Sequence, residues 1–407
     1  MRKERAKLMC RYRVLFSDCI RTEIGGGYFV LARLANFFSQ HPEYGVVPFV
    51  LINNAQEFVT NYINKMVTWI PLEIPERISS LNRRTNVGRL ITTVVSSPLF
   101  LLSFLIRTVR MLKRHRITLI HANGVTAFIL ITLPAKVAGI KIIYHLHDAL
   151  LTQEEGGTMG TLARSLLLLW MKRFADAIVV VSEFAKKTIM SKDEILEKKI
   201  HVLHNGLDIS QIRQPTPKRL QDGTPLILSF GTLSDRKGFH IGIEAMRILR
   251  DKHGVKVKYR IIGDGPQRSF LENLIWEENL DGQVELLGFQ TDVHHYVAQS
   301  DIVLIPSIWE DPLPLVVIES MANSKIIIAS KVGGIPEMIS NEEGFLVPKE
   351  DPEAIAEKIL FIMGHSEHAN ELADNAYDRV KKEFTIEGMV MKLKKIYQEV
   401  LHEDPAS

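Results

Sequence analysis

The chain has 407 residues, too long for one ordinary domain and long enough for two, each with a substantial core. Its 46% hydrophobic and 24% charged residues are those of a folded globular protein, not of a disordered or fibrous one. A formal net charge of +3 argues against a dedicated nucleic-acid binder, and two cysteines, Cys10 and Cys19, against a disulfide-built secreted fold.

The opening MRKERAKLMCRYRVLF is basic but is followed by no small-residue cleavage site, so no secretory leader and a cytoplasmic location are expected. RVLFS (13–17) reads as a first strand, and after it Gly25, Gly26 and Gly27 open an apolar helical pattern. Glycines let a backbone approach an anion closely, although this triplet is not the GxGxxG dinucleotide fingerprint. VVPFVLI (46–52) is the next strand. From Leu90 to Ile106 the chain runs without a charge, interrupted by Pro98, and RTVRMLKRHR follows with bases and no acid. The region 83–116 therefore reads either as a core helix with a solvated basic end or as a peripheral contact to an anionic membrane surface. ITLIHA (117–122), KIIYHLH (141–147), AIVVVS (177–182) and KIHVLHN (199–205) complete a first set of strands. The proline-rich DISQIRQPTPKRLQDGTP (208–225) reads as a linker, dividing a first domain, 1–212, from a second, 213–384.

The second domain begins with PLILSFG (225–231), ending at Gly231. Ser234 is placed to cap a helix, with Arg236 and Lys237 beside its N-terminus, where like charge is unfavourable unless an anion binds. At the ends of the strands KYRIIGD (258–264) and VELLGF (284–289), Gly263 and Gly265 form a tight turn in IIGDGP, and Gly288 and Phe289 close the second. DIVLIPS (301–307) leads into WEDPLPLVVIES, whose prolines allow a helix only from about Leu315. Glu310 and Asp311 then lie on a loop, Glu319 lies in an early helical turn, and the amides of Leu315 and Val316 face outward as an anion site. KIIIAS (325–330) is another strand, and FTIEGMVMKLKKIYQEVL (384–401) is helical by pattern. Strands alternating with helices predict an α/β fold of two doubly wound parallel-sheet domains, with chemistry at the strands' carboxyl ends.

The chain resembles the retaining glycosyltransferases of family 4. The resemblance rests on the GGG loop, YHLHD, VVVSEFAKK, HNGLD, GTLSDRKG, IIGDGP, LLGF, PSIWEDPLPLVVIESMA, KVGGIPEMI and EGFLVPKEDPEAIAEKI. It implies the GT-B architecture, two facing Rossmann-like domains, with the final helix (385–407) crossing back to the first and domain closure gating catalysis. It further implies a nucleotide-sugar donor, a glycan, lipid-linked or other hydroxyl acceptor, a metal-independent front-face mechanism and no separate cofactor. Glu319 would hold the donor ribose, Asp311 the transferred sugar, and Lys237 the leaving diphosphate. His147 would lie by the sugar, and the glycine loop would accommodate the donor phosphates. The glycine-lined carboxyl edge, with Phe289 and Glu310, completes the donor-site residues.

Three positions depart from the family: Asp311 is shorter than the usual Glu, Pro314 replaces a Gly, and Thr232 replaces an arginine for which Arg236 would substitute. They leave open two other readings, a catalytically impaired nucleotide-sugar-binding scaffold and a nucleotide-sugar epimerase of the same fold. No Asp-x-Asp occurs, and the pairs His201/His204 and His294/His295 lack acidic or cysteine companions in ligand spacing, so no metal site is expected.

Overall fold

The computed structural model describes residues 12–18, 26–52, 56–71, 98–147, 157–192, 194–211 and 224–402. Cys10, Cys19, Gly25, the stretch 83–97 and the expected boundary at 212/213 lie outside them. The chain divides into two units, Met1–His204 with Met389–Ser407, and Asn205–Gly388. The division thus falls at 204/205, ahead of the proline-rich stretch.

The first unit runs β1 (Tyr12–Ser17), α1 (Gly26–Gln40), β2 (Val46–Ile52), α2 (Gln56–Tyr62), β3 (Thr68–Pro71), α3 (Pro98–Arg114), β4 (Leu119–Asn123) and α4 (Val125–Ala138). It continues with β5 (Lys141–Leu146), α5 (Gly157–Phe174), β6 (Ala177–Val180), α6 (Glu183–Met190) and β7 (Ile200–Val202). All strand pairs are parallel, in the order β3-β2-β1-β4-β5-β6-β7. Strands β4 and β6 are buried along their whole length and β2 at all but Val47, as a sheet covered on both faces requires. Right-handed crossovers put α3 to α6 on one face, and Phe104, Leu112, Phe128, Leu167, Met171 and Ile189 form one core with it. Pro98 is the first residue of α3, where a missing N–H costs nothing, so within the apolar run the helix begins at the proline.

The second unit runs β8 (Leu226–Phe230), α7 (Phe239–His253), β9 (Lys258–Ile262), α8 (Arg268–Glu277), β10 (Val284–Gly288), α9 (Val293–Gln299), β11 (Ile302–Ile305) and α10 (Leu315–Ala322). It closes with β12 (Ile326–Ser330), α11 (Ile335–Met338), β13 (Phe345–Val347), α12 (Pro352–Gly364) and α13 (Ser366–Glu383). Its sheet is also parallel, in the order β10-β9-β8-β11-β12-β13. Residues of α7, α8 and α12 share one core with this sheet. Within it Tyr259 donates to Ser229 Oγ (2.8 Å), which donates to the Leu304 carbonyl.

The last helix, α14 (Ile386–Leu401), starts in the second unit and from Met389 belongs to the first. Its Val390, Leu393 and Tyr397 are wholly buried. Each sheet reverses its strand order once, between β1 and β4 and between β8 and β11, and such switch points open the crevices where doubly wound sheets bind ligands.

Candidate functional site

In the second unit, Gly231 follows the last residue of β8, and a single 3-10 turn, Asp235–Lys237, leads into α7. Ser234 precedes that turn without a side-chain capping bond, so it does not cap α7 as expected; Gly238, at φ 64°, takes the position before the helix. A Cβ on Gly238 would come 2.0 Å from the Pro306 carbonyl oxygen, so the turn after β8 and the end of β11 touch backbone to backbone. The Ile308 amide donates to the Arg236 carbonyl at 3.1 Å, which fixes the same contact.

That contact brings the two predicted charges together. Lys237 Nζ lies 3.0 Å from Asp311 Oδ2, both side chains partly exposed. The Arg236 guanidinium lies 4.1 Å over the Trp309 ring, a cation–π contact that holds it beside Lys237. Asp311 is held from behind as well: its carbonyl accepts from Gly334, and a Cβ on Gly333 (φ 55°) would come 2.2 Å from that oxygen. Glu310 is exposed and Asp311 is not, so the acid in register with Glu319 is the one turned toward the lysine.

α10 begins at Leu315 after Pro314, whose side chain offers no cap. Among the described residues the Leu315 and Val316 amides donate to no acceptor, and Glu319 sits one turn further along, partly buried. Ser307, just past β11, keeps a buried hydroxyl with no partner among the described residues. Gly263 packs on the Gly231 carbonyl, 1.8 Å from where a Cβ would stand, and Gly265 lies against Leu233. Gly288 and the exposed Phe289 close β10, further from the switch point. The β8/β11 switch point thus gathers Lys237, Arg236, Asp311 and α10's start.

In the first unit the β1/β4 switch point holds a buried polar cluster. Asn123 Nδ2 donates to Asp18 Oδ2 at 2.5 Å and to the Gly27 carbonyl at 3.1 Å, and its Oδ1 lies 2.5 Å from His147 Nε2. Two acceptors on one side require the amide nitrogen there, so Oδ1 faces the histidine and the His147 proton must sit on Nε2. Gly27 leaves room for the ring, 3.2 Å from its Cβ position, and Gly26 is exposed at the start of α1. Behind it His145 lies under His147 with ring centroids 3.9 Å apart. His145 Nδ1 is 2.9 Å from His121 Nε2, and His121 Nδ1 is 2.9 Å from Tyr397 Oη on α14. Burial lowers His121 and His147 to about 3 and holds His145 well below the usual imidazole range, while it raises the Tyr397 phenol. All three imidazoles are therefore neutral at pH 7.

Sequence reasoning singled out His147 but missed Asp18, His121, Asn123, His145 and Trp309. The alternation in IHAN and YHLH carried a signal, since side chains two apart on a strand share a face. Among the described residues no group of three or more His, Cys, Asp or Glu is arranged to hold a metal ion.

Residues 67–211 match the family described as Glycosyltransferase Family 4, and residues 210–379 that described as Glycosyl transferases group 1. The chain belongs to the family 4 glycosyltransferases. The amylovoran biosynthesis glycosyltransferase AmsK of Erwinia amylovora is 33% identical over 172 residues, 40% of this chain and 42% of its own length. A UDP-Gal:alpha-D-GlcNAc-diphosphoundecaprenol alpha-1,3-galactosyltransferase of Escherichia coli is 21% identical over 304 residues, 72% of this chain and 78% of its own. Against the first relatives it matches, the chain spans about half of their length. HepE of Anabaena, crystallised with UDP and glucose, superposes with a TM-score of 0.75 at 20% identity, covering 96% of this chain and 100% of its own. The chain therefore has the GT-B fold.

Proposed function

We propose that the protein transfers a sugar from a nucleotide-sugar donor to a hydroxyl acceptor with retention of the anomeric configuration. The carrying observation is the Lys237–Asp311 pair beside the first amides of α10, at the β8/β11 switch point. A diphosphate would compete with Asp311 for Lys237, accept from the Leu315 and Val316 amides and find Arg236 held nearby. Asp311, released from the lysine, would accept from hydroxyls of the transferred sugar, and Glu319 from the ribose. HepE's UDP and glucose support such a donor.

Charge on the departing diphosphate grows in the transition state, so Lys237, Arg236 and fixed amides would stabilise it without a metal. The acceptor oxygen then attacks the anomeric carbon as the glycosidic bond to phosphate breaks, and the leaving phosphate oxygen takes the acceptor's proton. Neutral His147, with its proton on Nε2, would offer Nδ1 as an acceptor to a sugar hydroxyl. The diphosphoundecaprenol substrate in one relative's name favours a lipid-linked acceptor.

A panel of UDP-, GDP- and ADP-sugars at 100 times Kd should raise stability by about 2.7 kcal/mol for the true donor. Slow nucleotide release from that donor should persist in EDTA, and NMR of the product should show the donor's anomer. Stabilisation without release would favour the scaffold reading instead.

A further inference from the structure

The face that α3, α4 and α5 build on the first unit carries none of the residues gathered at either switch point. α3 turns Phe104, Thr108 and Leu112 into the core and Leu102, Ile106, Arg110 and Lys113 out to solvent. α4 packs against α3 and exposes Leu133, Lys136 and Val137 from an otherwise buried helix. α5 lies against α4, where Trp170 Nε1 donates to Thr132 Oγ1 at 3.4 Å, and exposes Leu166, Leu169 and Arg173. Leu102, Leu133, Val137 and Leu169 are each more than half exposed, at 55%, 54%, 55% and 59%.

None of these three helices contains an aspartate or a glutamate. Basic residues lie in the last turn of each: Lys113 and Arg114, Lys136, and Lys172 and Arg173. Placement at helix C-termini suits the dipole and accounts for part of the pattern. It does not account for the missing acids, nor for the leucine and valine standing in water beside the bases. The carboxylate of Asp176, just beyond α5, is engaged by Lys136 (2.8 Å), Lys141 (3.1 Å) and the Ile142 amide, leaving that corner positive.

We infer that the α3–α4–α5 face docks on an anionic lipid surface, its leucines entering the interface and its bases meeting the headgroups. Adjacent helices with apolar residues in front and bases behind have the chemistry of interfacial membrane binding. A second copy of the chain is the poorer occupant, since a two-fold contact would set this acid-free face against itself. Spanning is a different matter: no described helix is long and apolar enough to cross a membrane. Compared with the expectation at 83–116, the surface extends beyond that region to α4 and α5, and the stretch 83–97 is not needed for it.

The test uses the full chain and vesicles of phosphatidylcholine with or without phosphatidylglycerol. Sedimentation with the anionic vesicles alone, released by salt, is expected. Arg110→Glu, Lys113→Glu and Arg173→Glu should each weaken it by about fivefold, and the triple variant by about a hundredfold. Leu133→Ser with Leu169→Ser should also weaken it. These solvent-facing changes should leave melting and vesicle-free nucleotide release unchanged, so a protein inactive on every donor would still test the docking. Equal sedimentation with neutral vesicles, or indifference to charge reversal, would overturn the inference. So would a dimer in sedimentation velocity that the same variants dissolve.

Discussion

Lys237 sits where two opposite demands meet. Paired with Asp311 at 3.0 Å it is partly screened, and a donor diphosphate would supply the stronger partner. Lys237→Ala should lower turnover about a hundredfold to a thousandfold, the cost of losing one preorganised charge at a developing anion. As an exposed-side truncation it should leave the melting temperature within a few degrees; a collapse of folding would make the lysine structural. At the other switch point, Asn123→Leu would leave the His147 Nε2–H and Asp18 without the amide. At roughly 1–3 kcal/mol for the His147 N–H left without its acceptor, a loss of stability is expected in thermal melts. In the second unit the acids were legible in the sequence, whereas Asn123 and Asp18 in the first were not. The spacing of Asp311 and Glu319 around two prolines placed one acid on a loop and one on a helix, and both are there. Trp309 under Arg236 was not legible, because the stack depends on the Ile308–Arg236 backbone bond, which no local pattern announces.

Among elements, the loops after β8, β11 and β12 act as a unit because their backbones touch. Gly333, at φ 55°, leaves no room for a Cβ against Asp311. Gly333→Ala should therefore push the Asp311 loop and cut nucleotide-sugar turnover more than it cuts stability, a split visible by measuring both on one preparation. The histidine cluster across β4, β5 and α14 gives a pH dependence. Its folded values lie below the unfolded imidazole value, so the neutral cluster's contribution is present above about pH 6.5 and is lost as pH falls toward about 3. Between pH 7 and pH 5 each such histidine should cost about 2 kcal/mol. His121→Gln, which can keep a hydrogen bond but cannot titrate, should shrink the acid loss by about that amount; an unchanged loss would sink the assignment. The strands missed from sequence, β3 and β13, are short edge strands. TWIP is half exposed and FLV has three residues before a proline, so neither shows the long apolar run that marks β4 or β11.

For the whole molecule, the two units differ in how they are drawn from the chain. The second is one continuous stretch, Asn205–Gly388, whereas the first needs Met389 onward to complete it. From that last segment Met389, Val390, Leu393, Ile396, Tyr397 and Val400 are buried. At roughly 1.5–3 kcal/mol for each large side chain, they outweigh much of a domain's net stability of about 5–15 kcal/mol. Truncation after Gly388 should therefore unfold the first unit, while 205–388 made alone should melt cooperatively; a truncated chain with an intact first unit would contradict the division.

The Tyr397–His121 bond also fixes an order of manufacture. A ribosome delivers residues 1–204 first, yet Tyr397 reaches the exit only after the whole second unit has been made, on the order of ten to forty seconds later. Through that interval the nascent first unit holds its histidines without their phenol and lacks the buried side chains of α14. The part begun first is thus finished last, and a pause or stop codon near residue 388 would damage the beginning of the protein more than its middle.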